Sequence, residues 1–146
     1  MDILKKRWIY IINGFIVFLF MGCGLAWSVF MIPVEEAFGW TRDQTSLAFT
    51  ANILCFSVGS ILTGILSKRF SFSTLLKISA IMMGLGFFGA GFISVPWHLY
   101  LTYGIIVGTG IGLGYNCVLS ACPLWLPERA ATATGILLMG YALSTA

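Results

Sequence analysis

Residues 103–116 read YGIIVGTGIGLGYN, and how this glycine-rich stretch is read decides the fold. Gly104, Gly108 and Gly112 recur every four residues, which places them in one stripe along a helix, and Gly110 and Gly114 form a second stripe beside it. A glycine-rich nucleotide loop is the alternative, but that motif follows a β-strand within a βαβ unit. Here the glycines lie inside an apolar run over residues 99–122, long enough for the ~20 residues a helix needs to cross the hydrocarbon core. Between membrane helices the lipid supplies no hydrophobic drive, and small residues that let backbones approach hold neighbours together. The stretch is therefore a packing helix of a membrane bundle.

The rest of the chain agrees. Charged residues make up 9% of the 146 residues and apolar ones 59%, with a mean hydropathy of +0.97. A soluble domain carries about 25% charged residues and could not cover its surface with so few. Three further runs reach membrane length, over residues 8–32, 45–66 and 74–95, and a fifth begins at residue 131 and breaks off at 146. The fold expected is an all-α integral membrane helix bundle. Residues 1–146 would form a single transmembrane domain, incomplete because it stops within the fifth span and so part of a longer protein. The basic start followed by apolar residues imitates a signal peptide, but the run to Val34 is about twice the 7–15 residues of a signal core.

Charge placement sets the orientation. Lys5, Lys6, Arg7, Lys68, Arg69, Lys77 and Arg129 fall on one side of the membrane, while Arg42 faces the other beside Glu35, Glu36 and Asp43. Short loops rich in Lys and Arg stay cytoplasmic, so the N-terminus is expected inside a cell (plasma or inner) membrane. Trp8, Tyr10, Trp40, Trp97, Tyr100 and Trp125 fall near span ends, where amphipathic rings prefer to sit. Cys23, Cys55, Cys117 and Cys122 form no CxxC pair and have no neighbouring His, which reads as small buried apolar residues rather than a metal site.

Other spans carry small residues at helical spacing, Ser60 and Gly64 on the second and Gly86 and Ala90 on the third. Polar groups within spans mark a pathway or an interhelical bond, since burying them unpaired costs free energy. Asn13, Asn52 and Asn116 are the clearest, followed by Ser28, Thr63, Tyr103, Thr109 and Tyr115. Asn52, Phe56, Gly59 and Thr63 share one helical face, and for each Asn a substrate contact and an interhelical hydrogen bond stand equally open. No Asp, Glu, Lys, Arg or His lies deep in a span, so these spans supply no proton relay of their own. That counts against a small four-helix multidrug exporter, which wants an embedded Glu. An intramembrane protease is also disfavoured, because His98 sits in a turn without a matching serine motif.

Gly64, Leu66 and Arg69 in GILSKRFSFS, residues 64–73, match a cytoplasmic signature close to G-x-L-a-D-R-x-G-R-[RK], with Lys68 and Ser71 departing from it. The chain thereby resembles the major facilitator superfamily, whose two six-helix halves hold substrate between them. AWSVFMIPVEEAFGWT (residues 26–41), YGIIVGTGIGLGY and WLPERAATATG (residues 125–135) are similar to stretches of its oxalate/formate antiporter-like, monocarboxylate transporter-related branch. The resemblance implies alternating-access transport of a small organic anion such as a mono- or dicarboxylate, by antiport or with protons. It implies no enzyme activity, cofactor or metal. The partners implied are the lipid bilayer, the anion and a C-terminal half that supplies cations. Trp27, Asn52, Tyr115, Asn116 and Tyr141 are the expected substrate-pathway residues. Gly64, Leu66, Lys68 and Arg69 form the signature loop, and Gly104, Gly108 and Gly112 the packing stripe. Leu25 and Ala26 replace a Tyr-Ser pair frequent in the branch, which argues against oxalate itself. The departures at Lys68 and Ser71 keep a second expectation in view, a non-transporting sensor or scaffold on the same fold.

Overall fold

The computed structural model describes residues 2–144. Thr145 and Ala146 of the expected fifth span, and the side chains of Lys5, Lys6, Arg7 and Leu25, lie outside the described residues. Every regular element among the described residues is helical. The first span is α1 (Asp2–Gly22), a tight 3₁₀ turn (Cys23–Ala26) and α2 (Trp27–Phe38). The second is α3 (Arg42–Leu66) and the third α4 (Phe72–Ala90). The fourth joins α5 (Pro96–Leu99), a wide π-helical segment (Tyr100–Val107) and α6 (Gly108–Trp125). A short 3₁₀ turn (Pro127–Arg129) leads into α7 (Ala130–Leu143). Among the described residues four stretches, Trp8–Phe38, Arg42–Leu66, Phe72–Ala90 and Pro96–Trp125, are long and apolar enough to cross a membrane.

Helix ends follow local chemistry. The first span runs past Ile32 to Phe38 and stops at Gly39, whose φ of 65° a glycine adopts without steric cost. The second opens at Thr41, ahead of Thr45, through a capping box in which Thr41 and Gln44 satisfy each other's backbone amides. Ser71 caps α4 by accepting the Thr74 amide at 3.3 Å. The third span ends at Ala90 rather than Val95: the chain turns at Gly91 and Phe92, whose amides donate to the Phe88 and Gly89 carbonyls, and Val95, before Pro96, is extended (φ −138°, ψ 152°).

The fourth span is the buried hub, and the other spans expose broad apolar faces such as Phe20, Phe30, Ile61, Phe88 and Phe92. The Gly104, Gly108, Gly112 stripe lies against α3. A β-carbon at Gly108 would stand 2.5 Å from the Asn52 carbonyl oxygen, and one at Gly112 would strike the Phe56 carbonyl. Gly110 and Gly114 meet α4 at Met82, Met83 and Ser79. The winding assists this register: a π turn holds more residues than the 3.6 of an α turn, so residues four apart drift in opposite senses in the two windings. Two small-residue expectations need correction. On the second span it is Gly59, not Gly64, that faces α6; nothing lies within 4 Å of a β-carbon built at Gly64. All four cysteines are free, and Cys117 and Cys122 are buried. Cys23 is exposed and Cys55 half-buried, since an apolar side chain loses nothing by facing lipid.

Candidate functional site

The expected pathway residues fall into two groups at different levels of the bundle. The first is an aromatic cluster built from four spans. Tyr115 on α6 and Tyr141 on α7 have ring centroids 5.2 Å apart, edge to face. Phe18 on α1 stacks on Tyr115 at 5.1 Å and meets Tyr141 at 5.9 Å, and Phe56 on α3 meets Tyr115 at 5.5 Å. These offset and edge-on geometries are those the ring quadrupoles favour. The cluster exists because α7 lies close along α1: a β-carbon at Gly140 would meet the Phe15 ring at 2.8 Å, and one at Gly14 the Leu137 side chain at 2.8 Å. Phe18 is fully buried at the centre, while both tyrosines are half-buried. Asn116, also half-buried, donates to the Gly112 carbonyl of its own helix at 3.4 Å, the long end of the range. Phenol hydroxyls and a carboxamide are donors suited to an anion, and the ring faces suit an apolar tail.

The second group lies nearer the α2–α3 connection and is knitted by hydrogen bonds. Trp27 stacks on Tyr103 with centroids 4.5 Å apart and donates Nε1–H to the Thr45 carbonyl at 3.2 Å. The Tyr103 hydroxyl donates to the Gly24 carbonyl at 2.5 Å. Asn52, only 5% exposed, donates Nδ2–H to the Tyr103 carbonyl at 2.8 Å, so its amide serves an interhelical bond. Further out, the Thr45 hydroxyl lies 2.6 Å from Glu35 Oε1, and Arg42 pairs with the same carboxylate at 3.6 Å. The structure thus brings Tyr115 and Tyr141 together and sets Trp27 and Asn52 apart from them.

Sequence reading passed over Phe18 and Phe56 as site residues. Phe56 was visible on the face shared with Asn52 and Thr63, but Phe18 is one apolar residue in an apolar run and carries no one-dimensional signal. A cavity of about 570 Å³ lies between the first and third spans, lined by Phe20, Trp27, Phe30, Met83 and Phe87 among others. It borders neither Tyr115 nor Tyr141 and is almost wholly apolar, which ill suits an anion. At the α3–α4 turn, Lys68 and Arg69 are exposed and Leu66 half-buried, and the Phe70 amide donates to the Leu66 carbonyl at 2.8 Å. No group of three or more His, Cys, Asp or Glu side chains able to hold a metal occurs among the described residues.

Comparison with known proteins agrees with this architecture. The Major Facilitator Superfamily pattern matches residues 6–146. An uncharacterized MFS-type transporter of Escherichia coli K12, YhjX, is 28% identical over 141 residues, covering 97% of this chain and 35% of its own length. Monocarboxylate transporter 9 of Gallus gallus is 31% identical over 136 residues, covering 90% of this chain and 26% of its own. Monocarboxylate transporter 12 of Mus musculus is 25% identical over 122 residues, 81% and 24% respectively. The chain therefore spans about a third or less of these relatives.

Proposed function

The chain belongs to the major facilitator superfamily, and we propose that it works as the N-terminal part of a secondary transporter for a small organic anion. In this reading its helices rock against a C-terminal half and expose a central site to each side of the membrane in turn. Tyr115, Asn116 and Tyr141 face the anion, Phe18 and Phe56 hold the rings in place, and cations come from the other half. The observation that carries the proposal is the convergence of aromatic side chains from all of α1, α3, α6 and α7. The monocarboxylate transporters among the relatives support a carboxylate as the anion.

The test is uptake of labelled short-chain mono- and dicarboxylates into proteoliposomes holding the full-length protein. A Tyr115→Phe, Asn116→Ala variant is expected to lose about fivefold or more in uptake, the worth of one or two hydrogen bonds, with unchanged membrane insertion. Wild-type uptake by this variant would remove both residues from the pathway. The sensor or scaffold reading is supported by Lys68, which stands where the signature loop expects an acid. It would prevail if the wild-type protein moved none of these anions. Ser71 lends that reading less weight, because as the cap of α4 it has a structural reason of its own.

A further inference from the structure

Two spans change their winding at one level of the bundle. The first tightens into a 3₁₀ turn at Cys23–Ala26, and the fourth widens into a π segment at Tyr100–Val107. A 3₁₀ turn holds 3.0 residues against 3.6 for an α turn, and a π turn holds more, so each departure offsets the rotation of one half of its helix against the other. The two irregular turns are bonded to each other. The hydroxyl of Tyr103, inside the wide segment, donates to the carbonyl of Gly24, inside the tight one, at 2.5 Å. Asn52 donates to the Tyr103 carbonyl at 2.8 Å, adding a side-chain donor to a backbone acceptor within the wide segment. Tyr103 and Asn52 are both buried, so neither bond has water to replace it.

We propose that Asn52, Tyr103 and the Gly24 carbonyl form a positioning node that holds the wide turn and the tight turn against each other. The node thereby sets the rotation at which Tyr115 and Phe18 meet Tyr141. Phe18 precedes the tight turn on the first span and Tyr115 follows the wide segment on the fourth, so both rings lie on the same side of the node. The link through the second span is direct. Asn52 and Phe56 are one turn apart on α3; the first bonds the node and the second touches Tyr115 at 5.5 Å. Asn52 and Tyr103 are then positioning residues rather than substrate contacts. The proposal rests on reading the aromatic cluster as the substrate pathway.

The experiment reads ring positions rather than transport, so it fails or succeeds separately from the uptake test. The full-length protein is labelled with 3-fluorotyrosine, and the Tyr115 and Tyr141 ¹⁹F resonances are assigned by single Tyr→Phe substitution. Tyr103→Phe removes one hydroxyl and keeps the ring that stacks on Trp27; Asn52→Ala removes the other donor. Thr63→Ala is the control, because Thr63 is equally buried and its hydroxyl bonds the same span at the Leu113 carbonyl, 3.0 Å away. Both node variants are expected to displace the Tyr115 and Tyr141 resonances by more than their linewidths, with Thr63→Ala leaving them in place. Unmoved resonances in either node variant, or an equal displacement by Thr63→Ala, would overturn the proposal.

Discussion

At the residue scale, glycine serves two different ends in this chain, and burial separates them. Gly108 is buried with the Asn52 backbone 2.5 Å from where a β-carbon would stand, and backbone cannot swing aside as a side-chain tip can. Gly84 is exposed, with nothing within 4 Å. Gly108→Ala should therefore destabilise the bundle by about 1–3 kcal/mol through overpacking. Gly84→Ala should be neutral or stabilise by up to about 1 kcal/mol through helix propensity. Thermal unfolding of the two variants in the same detergent checks the contrast, and equal effects would show that the stripe does not set the spacing of α3 and α6. Asn52 shows why composition alone misleads at this scale. A buried amide needs a partner whether or not substrate passes by, and its partner here is a carbonyl fifty-one residues away in sequence.

At the element scale, three boundaries carry a local signal that the apolar runs, ending at Ile32 and opening at Thr45 and Thr74, do not show. The capping box at Thr41 and Gln44, the Ser71 cap and the left-handed Gly39 each end or begin a helix through groups within four residues. Gly39→Ala is expected to cost about 1–2 kcal/mol, because an L-residue at φ 65° brings its β-carbon against the carbonyl oxygen that follows it. Loss of amide protection at the end of α2, read by hydrogen exchange, would accompany it. An unchanged melting temperature with unchanged protection would show that the connection relaxes around alanine. The 3₁₀ turn and the π segment had no such signal. Both lie in unbroken apolar runs, and the side chains bonded to them, Tyr103 and Asn52, come from other spans.

At the scale of the whole molecule, the expected orientation of the bundle rests on the placement of its cations. Lys68 and Arg69 are exposed at the α3–α4 turn, and Lys77 is exposed in the first turns of α4. Among the described residues none of the three is in a salt bridge, and the pair found is Arg42–Glu35, toward the opposite end of the second span. The role expected of them is in topology, through the preference of short basic loops for the cytoplasm. Replacing all three with Gln should leave stability nearly unchanged and yield a fraction of inverted molecules. The readout is labelling of a single cysteine at Asp43 by an impermeant maleimide, with the four native cysteines replaced. Labelling from outside should be complete in the parent and partial in the variant. Complete labelling in both would assign the orientation to the remaining cations at the N-terminus and Arg129.

A bilayer imposes its demands along one dimension, and those are readable in this chain without coordinates. The presence of the spans, their apolarity and the four-residue glycine repeat are each written in consecutive residues, because the membrane demands about 20 apolar residues per helix and a smooth face for each close neighbour. The family, too, could be read from short ordered motifs. Which rings meet, and which polar groups are already engaged, emerges only once the helices are packed. Phe18, Phe56, Tyr115 and Tyr141 are separated by up to the length of four spans and become a cluster only when α7 lies along α1 and α3 along α6. Trp27 and Asn52 read as equals of Tyr115 in one dimension, but three dimensions commit them to bonds with the second and fourth spans. The physical reason is that a buried polar group is satisfied by whatever lies across the interface, and the interface is a property of helix pairs rather than of any one helix.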